Sequence, residues 1–214
     1  MRLTIALFAP ALLVVAAAVP PRDGSPVAEA VALQPAVLSD PRFAGILREL
    51  EGLGAIDWSD RFHSPAVEEE AMRFPNKLEW LLGRYAERGG YGLDKVRLWR
   101  KVNPWSSTVA VTVPLEDSTK LNRWQLSKVP SSIANTLIHE RGHSFGTVHP
   151  ETQTRRGNEC DASYIAGDLA QALLVQGGAR AREAFDKPMC PALCASLQRH
   201  GVATAAELGK ACRA

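Results

Sequence analysis

Residues 137–150 read LIHERGHSFGTVHP, and three of the chain's five histidines, His139, His143 and His149, fall within them. At about 100° per residue, the surrounding segment PSSIANTLIHERGHSFG (130–146) sorts into two faces. Ile133, Ala134, Leu137, Ile138 and Phe145 share one arc, while Ser132, Asn135, Thr136, His139 and His143 lie on the opposite one. Pro130, Ser131 and Ser132 suit a helix start. The segment is therefore expected to be a helix with a core-facing side and a polar side that carries both histidines.

Four residues make a little over one helical turn, so His139 and His143 stand one above the other and lean the same way. Two imidazoles so placed can bind one zinc ion at about 2.0–2.1 Å each. Glu140 sits about a quarter-turn round, where it reaches a water beside the metal rather than the metal itself. That is the mechanical content of H-E-x-x-H. Gly146 can adopt positive φ and stop the helix, and Pro150 blocks its continuation. His149 could then swing to a third coordination position and leave a fourth open. The competing reading is a solvent-facing polar stripe with incidental histidines. His63 and His200 are isolated and read as ordinary surface or core residues.

HERGHSFGTVHP (139–150) resembles the zinc signature H-E-x-x-H-x-x-G-x-x-H of metzincin endopeptidases, a branch of the zincin metallopeptidases. Gly142 and the His149-Pro150 pair are similar to the matrixin and serralysin branches. The resemblance implies a zinc endopeptidase with a mixed sheet above the active-site helix, substrate along an edge strand, and a methionine turn beneath the metal. KPMCP (187–191) offers Met189 followed by x-Pro, similar to that turn. PRDGSP (21–26) is similar to the matrixin pro-segment motif, with Asp23 in place of its cysteine.

Two features depart from this pattern. No tyrosine follows Tyr164, whereas some metzincins carry one just after the methionine. RRGNECDASYIAGDLAQALLVQGG (155–178) reads as a long helix, with Asn158 as a cap and Gly177-Gly178 as its end. Glu159 in its first turn resembles the glutamate ligand of gluzincin peptidases. His149 is the expected third ligand and Glu159 its rival. The helix dipole alone would also favour Glu159 and Asp161 there.

The chain has 214 residues, enough for one domain with a real core. A net charge of +2, with no dense Lys/Arg run, argues against a nucleic-acid partner. MRLTIALFAPALLVVAAAVPP (1–21) reads as a secretory signal. Arg2 gives a positive start, Leu3–Val15 an apolar run, and Ala16–Ala18 a cleavage site. The run is short for a spanning helix and Pro10 interrupts it. The mature protein is expected to be secreted or periplasmic, with no stable membrane insertion after signal cleavage. In that oxidising setting Cys160, Cys190, Cys194 and Cys212 read as two disulfides. Three connectivities are possible, and Cys160–Cys190 with Cys194–Cys212 is the expected one. A four-thiolate zinc site lacks a second close pair beside CPALC (190–194).

Residues 1–18 are read as signal peptide, 19–41 as a flexible leader, and 42–214 as a single zincin-like metallopeptidase domain. Within the last, FAGILRELEGLGA (43–55) and 65–88 carry helical patterns, the second divided at Pro75 and ended by Gly89-Gly90. KVRLWRKV (95–102) and STVAVTVP (107–114) alternate as strands do, with a turn at Asn103-Pro104.

The expected fold is α+β and zincin-like: a small mixed sheet packed on an active-site helix, and a helical C-terminal part with disulfides. The expected activity is that of an exported metallopeptidase cleaving a peptide or protein substrate. Zn2+ would be held by His139, His143 and His149, with Glu140 as general base and STVAVTVP as the strand that pairs with substrate. Two alternatives remain: a gluzincin-type peptidase using Glu159, and a non-catalytic exported metal-binding or interaction protein on the same scaffold.

Overall fold

The computed structural model describes residues 18–58, 61–100, 107–127, 129–149, 157–176, 185, 187–209 and 211–212. Within them the chain is mixed α+β and mostly helical. In order it forms α1 (Pro26–Leu38), α2 (Pro41–Gly52), β1 (Arg61–Phe62), α3 (Pro65–Ala71), α4 (Lys77–Arg88), β2 (Val96–Trp99) and β3 (Ala110–Thr112). There follow β4 (Thr119–Asn122), α5 (Pro130–Phe145), β5 (Thr147–Val148), α6 (Ala162–Val175), α7 (Pro191–Arg199) and α8 (Ala205–Leu208). Three of the early helices start alike: Ser25, Asp40 and Ser64 each cap a backbone N–H, and proline follows at the first helical position. That proline has no N–H to leave unsatisfied.

Residues 19–41 do not run as a leader. Pro26–Leu38 is a helix with a buried stripe of Val27, Ala30, Gln34 and Val37; Val27 and Ala30 pack with α5 and the sheet, and Val37 packs into the cluster of α2, α4 and α6. The stripe is hard to see because one of its members is glutamine and the next residue is proline. Pro35 cannot donate to Val31, and the Gln34 side-chain amide donates to that carbonyl instead, at 3.3 Å. The same amide spans to Tyr91, donating to its carbonyl at 3.2 Å and accepting from its N–H at 3.0 Å. A buried polar group is tolerated when its bonds are made in this way. Of residues 1–18, read as signal peptide, all but the last lie outside the described residues.

The helical pattern at 65–88 divides around Pro75 as expected. Asn76 caps α4, and Gly89 ends it at φ 62°. The main sheet has strand order β2-β4-β3, with β2 parallel and β3 antiparallel to β4. Both expected strands are present, but the central one, TKLN (119–122), has no strand pattern to announce it: it is short and carries a lysine. Val19 pairs with Leu98 on the outer edge of β2, and among the described residues β3 is the opposite edge strand. Asn103-Pro104 lies outside the described residues.

Two apolar clusters hold these elements. One joins α2, α4, α6, α7 and α8 around Trp80, Leu47, Leu169 and Leu197; the other joins α1, α5 and the sheet through Ile133, Leu137 and Leu121. Each fully buried Leu or Ile contributes about 1.5–3 kcal/mol relative to exposure. Helices α5 and α6 approach so closely that a Cβ on Gly142 would fall 2.9 Å from Ser163 Oγ. One on Gly167 would fall 2.8 Å from the Asn135 carbonyl oxygen. Disulfides Cys160–Cys190 and Cys194–Cys212 tie α6 and α7 to the segments beside them. Among the described residues, no helix is long and apolar enough to cross a membrane.

Candidate metal centre

Helix α5 does have an apolar side, but its polar side is not wet. His139 and His143 are each 8% exposed and Glu140 6%. The helix stops at Gly146, at φ 107°. Only glycine fits, since a Cβ there would meet Leu115 and Val67 at 3.0 Å. The chain then turns back as β5, which pairs with β1 (Phe62↔Thr147) and delivers His149 to the other two histidines. The three Nε2 atoms form a near-equilateral triangle, with edges of 3.2 Å (His139–His143), 3.0 Å (His143–His149) and 3.1 Å (His139–His149). Three nitrogens at zinc–nitrogen distances on tetrahedral directions would stand about 3.3 Å apart.

Protonation decides what such a triangle means. His143 Nδ1 lies 2.9 Å from the Thr147 carbonyl oxygen, and His149 Nδ1 lies 2.8 Å from Asp161 Oδ2. Both oxygens only accept, so each Nδ1 carries the hydrogen. In the neutral rings, each Nε2 then presents a lone pair to the centre. Burial, and after it the charge of His149, push the His143 pKa down to about 4, so it is neutral at physiological pH. Lone pairs converging at 3 Å repel unless a cation lies among them. The three histidines form a group that could hold a metal ion, and their donor set fits a borderline-soft divalent cation.

Glu140 stands beside this group. Burial raises its carboxyl pKa to about 7, against the opposing pull of Thr112 and His149. Its Oε2 is buried and has no hydrogen-bond partner among the described residues. The two residues between the motif's glutamate and second histidine serve packing. Arg141 donates to the Gly89 and Arg88 carbonyls at the end of α4 and pairs with Asp117, while Gly142 admits α6.

A cavity of about 660 Å³ opens over the histidines. Strand β3 forms one wall and the polar face of α5 another. Tyr164 of α6 and Met189 also line it. The Tyr164 ring lies 4.3 Å from that of His139 and stacks on that of His149 at 5.1 Å, with 14° between planes. Met189 is 5% exposed and also belongs to the core.

Glu159 does not join the histidines. Helix α6 begins later than its sequence suggests, at Ala162 with Asp161 as N-cap, so Glu159 precedes it and accepts from Gly157 N at 2.9 Å. Asn135 donates to Asp168 and Gln171 on α6 rather than to a ligand. Asp23 is exposed in the turn before α1 and does not line the cavity. Arg155, Arg156 and Pro150 lie outside the described residues. Sequence reasoning missed Asp161 as a partner of His149 and Tyr164 as a cover for the imidazoles. Neither has a local signal, because each depends on how α6 crosses α5. No family model, curated protein or solved structure matches this chain.

Proposed function

We propose that the chain is an exported zinc metallopeptidase of the zincin type, hydrolysing peptide bonds in a peptide or protein substrate. One observation carries this reading: three imidazole Nε2 atoms converge beside a buried carboxyl, inside a cavity bordered by an edge strand. The signature at 139–149, the mixed sheet against α5 and Met189 in the cavity wall are all in keeping with the zincin resemblance. The two disulfides and the apolar amino-terminal run support export.

His139, His143 and His149 would hold the ion. Bound zinc supplies a Lewis acid that polarises a carbonyl and acidifies water. The chain's own residues do the rest. An extended peptide adds to the outer edge of β3 by backbone hydrogen bonds. Glu140 takes the proton of the attacking water, with Oε2 as the available atom, and passes it to the leaving amine nitrogen. A pKa near 7 lets one carboxyl do both.

The test is Glu140→Gln against the wild type in cleavage of denatured casein, with zinc content measured on both. The Glu140→Gln variant should keep stoichiometric zinc and lose hydrolysis by at least about 100-fold. In parallel, His149→Ala should lose the ion and Glu159→Ala should retain it. Equal inertness of wild type and Glu140→Gln across several substrates would favour the non-catalytic metal-binding alternative. Loss of the ion only in Glu159→Ala would favour the gluzincin arrangement.

A further inference from the structure

His139 and His143 are aimed by the helix they stand on. His149 lies past the Gly146 turn, and residues 150–156 after it are outside the described residues. Two residues at the start of α6 grip its ring. Asp161 Oδ2 accepts from Nδ1 at 2.8 Å, gripping the ring's edge, and Tyr164, three residues on, covers its face. Asp161 is itself held. It is 1% exposed, and its other oxygen accepts from Ser163 N at 2.8 Å. The preceding residue, Cys160, is bonded to Cys190 and accepts from Asp57 N at 2.7 Å. A carboxylate so fixed does not follow the imidazole; the imidazole follows it.

We propose that Asp161 is the positioning residue of the metal centre. It sets the tautomer and aim of the third ligand, so metal affinity depends on a side chain that touches no metal. This inference rests on the three-histidine site proposed above. The physics is general: a carboxylate on the far nitrogen of a metal-binding imidazole holds the proton there, keeps the near lone pair available and raises its basicity.

Asp161 has two duties, and Asp161→Asn separates them. Asparagine is as good an N-cap as aspartate, and its oxygen can still accept from Ser163 N. Its NH2, however, faces Nδ1 as a donor and favours the tautomer with the proton on Nε2, where a lone pair is needed. Asp161→Ser is the second variant: it caps equally but does not reach the ring. The metal-free full-length chain is titrated with Zn2+ against a chromogenic chelator. The visible spectrum of the Co2+-loaded protein and the metal-free melting temperature are recorded alongside.

Both variants should bind Zn2+ about 10–100-fold more weakly than wild type. Their Co2+ spectra should change while the metal-free melting temperature holds. Wild-type affinity and spectrum in both variants would reduce Asp161 to a helix cap and overturn the proposal. So would an affinity loss seen only together with a matching fall in the metal-free melting temperature. His139→Ala and His149→Ala are run in the same titration. If they bind as tightly as wild type, the three-histidine site itself is wrong, whatever Asp161 does.

Discussion

Glu140 is expensive to the metal-free fold, and the cost is measurable. In the unfolded chain its carboxyl titrates near 4.5; in the folded chain burial moves it to about 7. Below pH 4.5 both states are protonated. Between 4.5 and 7 the folded state holds a proton that the unfolded state has lost, so folding weakens as pH rises. Above 7 both are ionised and the loss is complete. At about 1.4 kcal/mol per pH decade, the displacement amounts to about 3 kcal/mol, an upper bound once local relaxation is allowed. Glu140→Gln keeps the shape and removes the charge. Urea unfolding in the presence of a chelator, at pH 4 and pH 8, isolates the effect. The two proteins should be of similar stability at pH 4, and the glutamine variant should be more stable by up to about 3 kcal/mol at pH 8. The histidines are common to both, so they enter the comparison only through their coupling to Glu140, chiefly that of His149. Saturating zinc should narrow the gap, because a cation nearby compensates the carboxylate. If the variant is no more stable at pH 8 than at pH 4 relative to wild type, Glu140 is not desolvated and its role as a tuned base loses its physical basis.

Gly167→Ala should destabilise by about 1–2 kcal/mol net, read from the shift in urea midpoint. Its Cβ would strike the Asn135 backbone, and alanine's helical preference offsets only part of that. Gly142→Ala should destabilise too, but by less than Gly167→Ala, since its Cβ would meet the Ser163 and Thr147 hydroxyls rather than backbone. Glu49, held to about 2 by hydrogen bonds from Arg199 and His200, links α2 to the end of α7. Its folded pKa is depressed, so its stabilisation is full above about pH 4.5 and fades as pH falls towards 2. Glu49→Gln should flatten that slope by about 1 kcal/mol at most, because Arg199 is half-exposed. Replacing Cys160 and Cys190 by serine should lower stability by about 3–4 kcal/mol for a separation of 30 residues. It should also weaken zinc binding more than removal of Cys194–Cys212 does.

The convergence of the histidines is the part of this molecule that its sequence displays most openly. Spacing of four on a helix, a glycine that can turn, and a histidine three residues on are local facts, and local geometry turns them into a triangle. Helix starts at Ser25-Pro26, Asp40-Pro41 and Ser64-Pro65 have the same local character. What stays hidden depends on partners far along the chain. Helix α1 is masked by Gln34 and Pro35, and its amphipathic stripe makes sense only against Tyr91 and α5. Strand β4 has little strand propensity of its own and exists because β2 and β3 pair with both its edges. Asp161 reads as a helix cap, and it is one; its second duty needs the close crossing that Gly142 and Gly167 permit.

The chain of contacts from Gln34 to Tyr91 has a practical outcome for anyone preparing this protein. Tyr91 passes from the clasp of α1 to the Glu140 carbonyl, to which its hydroxyl donates at 3.1 Å. Trimming the amino terminus beyond Ser25 would strip the back of α5 and unseat that tyrosine. A protease cutting within 26–38 would therefore loosen the helix that carries the histidine group, and affinity tags belong upstream of Val19, which pairs with Leu98.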